Sequence, residues 1–377
     1  MRRPGSSRTV CCPALKILVV ASYGLLGGAE LSLLTFLAHR PPDADVRALV
    51  VTAGPVEERL LEAGVPVWTA SGYEGRPGPG DAARFTRSLD SLLRRWRPDV
   101  VWALGQKGAL LAAPACRRRG VPIVWHKVDL SWDRQLAPAL AAAVDAVISV
   151  SEGASLAIGP LRHRRVKAIV GPPITLDPGF EVGLDGPLTI GTLARGAPYK
   201  GHDRIIRAAA LLSDEFPELR VLASCGPVDE YPDLRDELLA LASELGLGGR
   251  VELPAWVPTA AGLLEQLTVF VNATYRDEHG FGLEGLSGAM LEASWAGVPV
   301  VAARGGGTAE GVVDGETGRL VDRADPELLA AAIRPYLRDP ELRARTGAAG
   351  RVFTRANFAP AIASERLFAA LAEVARG

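Results

Sequence analysis

Two doubly wound parallel α/β domains facing across a cleft are the architecture this chain predicts. Short apolar runs alternate with amphipathic stretches along its whole length. The alternation breaks in Gly171-PPITLDPGFEVGLDG-Pro187, rich in Pro and Gly, and then restarts. A length of 377 residues is enough for two hydrophobic cores. Strands of a parallel sheet are buried on both faces and read as continuous apolar runs, with helices between them.

The candidate strands of the first domain are Ile17–Ala21, Val46–Thr52, Val65–Thr69, Val100–Leu104, Ile123–His126, Ala146–Val150 and Lys167–Val170. Those of the second are Leu188–Thr192, Arg220–Ala223, Arg250–Leu253, Val269–Val271, Val298–Ala302 and Gly318–Val321. The chain divides into a disordered extension (1–15), a first domain (16–180), a second (181–355) and a final helix (356–377) that packs back on the first domain. Residues 72–80 read as a flexible loop beside the cleft. Arg2, Arg3 and Arg8 before an apolar run imitate a signal peptide, but Lys16 interrupts the run and no small-residue cleavage site follows. No apolar stretch reaches the roughly 20 residues needed to span a bilayer.

The formal net charge of −1 hides an asymmetry. Residues 1–170 carry 23 Lys/Arg against 14 Asp/Glu, and the remainder 19 against 29. A basic first half suits an anionic acceptor or an acidic membrane surface; chance imbalance on solvated helix faces remains open. Cys11, Cys12, Cys116 and Cys225 have neither metal-ligand spacing nor disulfide density, which fits a reducing cytoplasm. Asp43-Ala44-Asp45 imitates a metal motif but precedes a strand in a Pro-rich turn, so no catalytic metal is expected.

The chemistry concentrates between His279 and Val313. A Gly-rich run leads into a predicted helix with Glu284 at its mouth and Glu292 two turns further in. Eight helical residues turn about 80° beyond two full turns and rise about 12 Å, which places both carboxylates on one side. A helix N-terminus attracts anions, so carboxylates beside it are better suited to accept hydrogen bonds from hydroxyls. Phosphate together with hydroxyls indicates a sugar nucleotide. Arg195 and Lys200, in a loop between a strand and a helix, suit a diphosphate; two solvated loop charges are the alternative. Gly27 and Gly28 follow the first strand and let another molecule approach the backbone, or serve tight helix–strand packing. A dinucleotide fingerprint is absent there. His126, at the carboxyl end of a strand, is placed to poise a proton or bond a reacting hydroxyl; a structural histidine fits equally well.

Together these motifs resemble retaining glycosyltransferases of the GT-B fold, family 4 (glycosyl transferases group 1), from about Lys16 to about Leu371. Arg195 and Lys200 match that family's R-x4-K clamp, and Glu284 and Glu292 its E-x7-E motif. Gly27 to Glu30 is similar to its donor loop, and Gly306 to Glu310 to its closing segment. The resemblance implies an N-terminal acceptor domain and a C-terminal donor domain. It implies that Arg195 and Lys200 neutralise the leaving diphosphate, aided by helix N-termini. Glu284, with Gly285, Leu286, Ser287 and Gly288, would hold the donor sugar and Glu292 the ribose. Pro254, Trp256 and Val257 would frame the base, and His126 would lie near the transferred sugar. The co-substrate would be a nucleotide-diphosphate sugar with no further cofactor. The acceptor would be a hydroxyl, anionic or lipid-linked, with no nucleic-acid partner and peripheral contact with an anionic membrane. Where the family writes E-G-F-G this chain has EGLSG, with HGFGL upstream, so Glu278 is a rival first carboxylate. Ala194 stands where a Gly usually precedes the clamp. Two other readings stay open: a nucleotide-sugar-binding protein without transfer activity, and a hydrolase or epimerase of the same fold.

Overall fold

The computed structural model describes residues 14–21, 24, 26–70, 79–130, 132–226, 231–255, 257, 259–277 and 282–377. Its first sheet has seven strands: β1 (Lys16–Ala21), β2 (Asp45–Val50), β3 (Val67–Thr69), β4 (Val100–Leu104), β5 (Ile123–Lys127), β6 (Ala146–Ser149) and β7 (Val166–Ile169). They lie in the order β3-β2-β1-β4-β5-β6-β7. The second sheet has six: β8 (Thr189–Ala194), β9 (Arg220–Cys225), β10 (Val251–Glu252), β11 (Val269–Asn272), β12 (Val300–Ala303) and β13 (Gly318–Val321), in the order β10-β9-β8-β11-β12-β13. All pairings between these strands are parallel.

Helices α1 (Gly28–Ala38), α2 (Pro55–Glu62), α3 (Pro79–Arg95), α4 (Gly105–Arg119), α5 (Asp133–Ala143), α6 (Glu152–Ser155) and α7 (Arg162–Arg165) connect the first sheet. The second is connected by α8 (His202–Ala210), α9 (Leu234–Glu244), α10 (Ala260–Leu264) and α11 (Gly288–Ala296), and followed by α12 (Pro326–Arg338), α13 (Pro340–Phe358) and α14 (Pro360–Arg376). The two Rossmann-like sheets stand as expected, with shifted edges. β3 begins at Val67 because the N–H of Val65 closes α2 on the Leu60 carbonyl at 2.9 Å. β10 is short because Pro254 has no N–H to extend the ladder, although its carbonyl accepts from the N–H of Cys225 at 2.9 Å.

In each sheet the strand order reverses beside the first strand, between β1 and β4 and between β8 and β11. Connections leave in opposite directions there, which opens a crevice at the carboxyl ends of the strands. The end of the chain returns to the first core. Ala363, Leu367, Phe368, Ala370 and Leu371 of α14 are buried with residues of β1, β4 and β6, and Phe368 meets Trp102 edge-on at 6.3 Å between centroids. Each such large side chain contributes about 1.5–3 kcal/mol, so α14 holds the second half of the chain against the first. Cys116 and Cys225 are buried free thiols; Cys11 and Cys12 lie outside the described residues, as does most of the loop expected at 72–80.

Candidate active site

The loop after β8 carries Arg195 and Lys200 to the carboxyl end of β11. Gly201, at φ +72°, closes it; a Cβ there would sit 2.2 Å from the carbonyl oxygen of Ala273, so only glycine permits this approach. Lys200 thereby reaches Glu284, and its ammonium donates to Glu284 Oε1. Asn272 Nδ2, at the end of β11, donates to Oε2 at 3.0 Å. Burial pushes the Glu284 carboxyl up, but the Lys200 ammonium, with hydrogen bonds from Lys200, Asn272 and Ser287, brings it net below its ordinary value. The two expected groups are therefore in direct contact within one domain. Arg195 stays on the exposed rim, where its guanidinium donates to the hydroxyl of Tyr199.

One expectation needs correction. Glu284 is not on the helix. Gly282 and Leu283 have φ of +95° and +60°, and α11 starts only at Gly288. Ser287 is its N-cap, accepting from the N–H of Met290. The eight-residue spacing therefore does not measure helical rise between the two carboxylates; Glu284 is held by loop geometry and its partners.

Glu292, one turn inside α11, is 8% exposed. Its Oε1 accepts from the hydroxyl of Thr175 in the interdomain segment. Burial pushes its carboxyl up, with hydrogen bonds from Thr175 opposing. Neither Thr175 nor Asn272 stands out in the sequence, since each is a common polar residue made important only by where its strand or segment ends.

Gly285 and Leu286 form the junction of the domains. A Cβ on Gly285 would lie 2.5 Å from Val150 Cγ1 and 2.8 Å from the carbonyl oxygen of Val128, both in the first domain. The Ser151 hydroxyl donates to the Gly285 carbonyl at 2.5 Å, and Leu286 is buried in the core cluster that includes Val150 and Met290. Gly288 faces Pro172, 4.0 Å from the position of an added Cβ. The carboxylate of Glu310 accepts from the N–H groups of Glu152 and Gly153, each at 2.8 Å. Pro254 and Val257 lie at the end of β10, next to Gly226, where a Cβ would meet the carbonyl oxygen of Ala255 at 1.6 Å. Trp256 and Glu278 lie outside the described residues.

On the opposite side, Gly27 caps α1 and its N–H donates to Glu30 Oε2 at 3.2 Å. An added Cβ on Gly28 would meet nothing within 4 Å, so helix–strand packing does not explain that glycine. Gly28→Ala is therefore expected to leave the melting temperature unchanged while weakening donor affinity by about tenfold, a methyl-sized obstruction of a close contact; calorimetry with the donor and a thermal melt read the two effects separately.

Of the two readings of His126, its surroundings match the structural one. The side chain is 2% exposed, set 5.9 Å from the rings of Phe36 and Trp102. The indole N–H of Trp102 donates to its Nδ1 at 3.2 Å, which leaves the ring proton on Nε2. Burial pushes its pKa down to about 4. It is a neutral core imidazole at pH 7, not a poised proton carrier. A histidine with a folded pKa below its unfolded value binds more protons when unfolded. Its contribution is complete above about pH 6.5 and is lost as pH falls toward 4. His126→Phe should therefore flatten the decline of unfolding free energy between pH 7 and 5, by at most about 1.4 kcal/mol per pH unit, in denaturant titrations.

Beside it, Lys127 is fully buried and donates to Asp133 Oδ1 at 2.5 Å and to the carbonyl of Asp129 at 2.6 Å. Asp133 Oδ2 is buried without a hydrogen-bond partner. The same β5–α5 loop touches the second domain: Leu130 Cδ1 lies 2.8 Å from where a Cβ on Gly306 would be.

Two facing Rossmann-like domains, with a half-buried Lys–Glu pair at the strand ends of the second, define a protein of GT-B architecture. Residues 180–353 match the family Glycosyl transferases group 1, and residues 28–172 match the Glycosyl transferase 4-like domain. The chain is 33% identical over 325 residues to a D-inositol 3-phosphate glycosyltransferase of Streptomyces avermitilis, covering 74% of this chain and 68% of the relative. It is 34% identical over 221 residues to the lipopolysaccharide core biosynthesis mannosyltransferase LpcC of Rhizobium leguminosarum bv. viciae, covering 57% of this chain and 61% of the relative, less than two thirds of that protein. The Anabaena protein Alr3699/HepE, solved with UDP-glucose, superposes with a TM-score of 0.80 over 95% of this chain and 100% of that one, at 20% identity, and shows the common fold. The chain belongs to the glycosyl transferases group 1 family, family 4 of the GT-B glycosyltransferases. It is an enzyme of the hexosyltransferase class.

Proposed function

We propose that the chain is a retaining, metal-independent glycosyltransferase that moves a hexose from a UDP- or GDP-type donor to a hydroxyl acceptor. The acceptor is anionic or lipid-linked, from a bacterial envelope glycan, a glycolipid or a glycosylated metabolite. The Lys200–Glu284 contact carries this reading. It sets a cation and a hydroxyl acceptor side by side at the crevice, the pair of functions that a sugar diphosphate requires.

In this reading Lys200 and Arg195 neutralise the diphosphate as the bond from the anomeric carbon to the phosphate oxygen breaks. In this reading that charge supplies what a metal would otherwise supply. Glu284 holds hydroxyls of the transferred sugar. Glu292 exchanges its Thr175 hydroxyl for those of the ribose. Pro254, Trp256 and Val257 frame the base, and Gly27 and Gly28 let the donor approach. The acceptor hydroxyl attacks from the face the leaving group occupies, and its proton passes to the departing phosphate oxygen. Asp133, at the start of α5 with an unpartnered buried oxygen, would receive an acceptor hydroxyl. The Nε2–H of His126 is a fixed donor beside the β5–α5 loop.

No described helix is long and apolar enough to cross a membrane. The basic first half is proposed to face an anionic membrane surface on the cytoplasmic side. A panel of UDP-, GDP- and ADP-sugars read by thermal shift tests the donor, since a ligand that binds the folded state raises apparent stability. Product analysis with and without acceptor separates transfer from hydrolysis or epimerisation. Binding without turnover, unchanged in Glu284→Gln, would mark a nucleotide-sugar-binding protein instead.

A further inference from the structure

Along the outer edge of the first sheet, α3 leaves an open groove of about 620 Å³ against β2 and β3. None of the candidate active-site residues lines it. Arg47, Trp68, Arg87, Ser91, Arg95 and Trp96 do.

The Arg47 guanidinium stacks over two indoles, 4.5 Å from the centroid of Trp96 and 5.9 Å from that of Trp68. Its ion pair among the described residues is with Asp45, at 3.6 Å, and that carboxylate also accepts the Trp96 indole N–H at 3.2 Å. It is the buried Arg47 Nε that faces Asp45, at a distance too long for a hydrogen bond. Arg87, Ser91 and Arg95 recur at four-residue spacing on one face of α3. Arg87 and Arg95 are exposed, and neither makes an ion pair or hydrogen bond among the described residues. Nearby arginines behave differently. Arg94 on the same helix and Arg118 and Arg119 on α4 all converge on Asp90, at 3.3, 2.7 and 2.8 Å. Surface arginines here are paired where a carboxylate is at hand, yet three guanidiniums share this groove with one carboxylate.

Like charges gathered at a concave surface raise the local potential and attract an anion. Guanidinium forks match phosphate oxygens in pairs, and an arginine already stacked on indoles is pre-organised for that contact. The Ser88 and Ser91 hydroxyls add donors, and Trp68, 37% exposed, offers an apolar face. We infer that this groove is a binding site for a phosphate ester, whose phosphate meets Arg47, Arg87 and Arg95 and whose organic part lies against Trp68. The phosphate belongs to a lipid headgroup or to a soluble ester. The site is independent of the glycosyl-transfer reading and stands if that reading fails.

The test uses the full chain carrying Arg195→Ala, which removes one of the two cations proposed for the donor diphosphate; Lys200 is kept because it holds Glu284, and pyrophosphate binding that survives the Arg87 and Arg95 substitutions is assigned to it. Pyrophosphate is titrated by calorimetry, and vesicles of phosphatidylglycerol are compared with phosphatidylcholine by sedimentation. At least one anionic probe is expected to bind, at least tenfold more weakly once Arg87→Ala and Arg95→Ala are added, with no change in melting temperature. Arg47→Lys, which keeps the charge and loses the fork, should weaken binding several-fold. Vesicle binding alone identifies a lipid headgroup, pyrophosphate binding alone a soluble ester, and both the phosphate group itself. No binding of either probe, or equal binding after the Arg87 and Arg95 substitutions, overturns the site.

Discussion

Lys200→Ala is expected to lower kcat by about 10²–10³-fold, the typical cost of removing one preorganised charge from a developing anion. It should also destabilise the free protein. Glu284 is half-buried, and its charge is sustained by Lys200 with help from Asn272 and Ser287. Breaking a fully buried pair from one side strands the other charge, at about 3–5 kcal/mol; this half-buried pair, partly reached by solvent, should cost less. The sign of the pH dependence follows from the lowered carboxyl. Its folded pKa lies below the unfolded value, so its contribution is present above about pH 4.5 and is lost as pH falls through the folded pKa. Lys200→Ala removes the cation but not the burial, and the carboxyl then rises; its stability penalty should shrink as pH falls and the stranded group protonates. Adding Glu284→Gln should recover most of the stability and none of the activity. Denaturant titrations at pH 7 and 5, with steady-state kinetics, separate the two roles. A single Lys200→Ala variant with full kcat would remove the leaving-group assignment.

The strands were readable because parallel strands buried on both faces are written as unbroken apolar runs, as in Val100–Leu104 or Val298–Ala302. The Arg195–Lys200 loop was readable as charge at a strand end. What was not readable depends on distant parts of the chain. Lys200 and Glu284 are 84 positions apart and meet because Gly201 presses one loop against Ala273. The positive φ of Leu283 delays the helix to Gly288, and nothing in EGLSG announces it. The strand-end position of His126 left two readings open; Phe36 beside it, and Phe368 of α14 against Trp102, bury it in the core. The sequence shows a basic first half but not its pairing: Arg94, Arg118 and Arg119 share the Asp90 carboxylate, while Arg87 and Arg95 make no ion pair among the described residues.

Gly307→Ala tests whether the domain junction fixes the candidate site. Gly307 has φ −93°, a value open to any residue, so the requirement for glycine is spatial. A Cβ there would lie 1.7 Å from the carbonyl oxygen of Gly285 and 2.4 Å from Ser151 Oγ. Its N–H donates to the Glu284 carbonyl at 3.0 Å, so the obstruction falls on the backbone that carries the carboxylate. Overpacking of this kind costs about 1–3 kcal/mol. Relief requires the Gly305–Gly307 turn to draw away from Gly285, shifting Glu284 with it or opening the junction at Ser151. A misplacement near 1 Å reduces turnover by about 10²-fold, so kcat/KM should fall by that factor while the melting temperature drops only a few degrees. Adding Ser151→Gly removes the hydroxyl and Cβ on one side but leaves the Gly285 carbonyl in place, and should restore only part of the loss. Wild-type kcat/KM in Gly307→Ala would show that Glu284 keeps its position without this contact, and that Lys200 and Asn272 alone hold it.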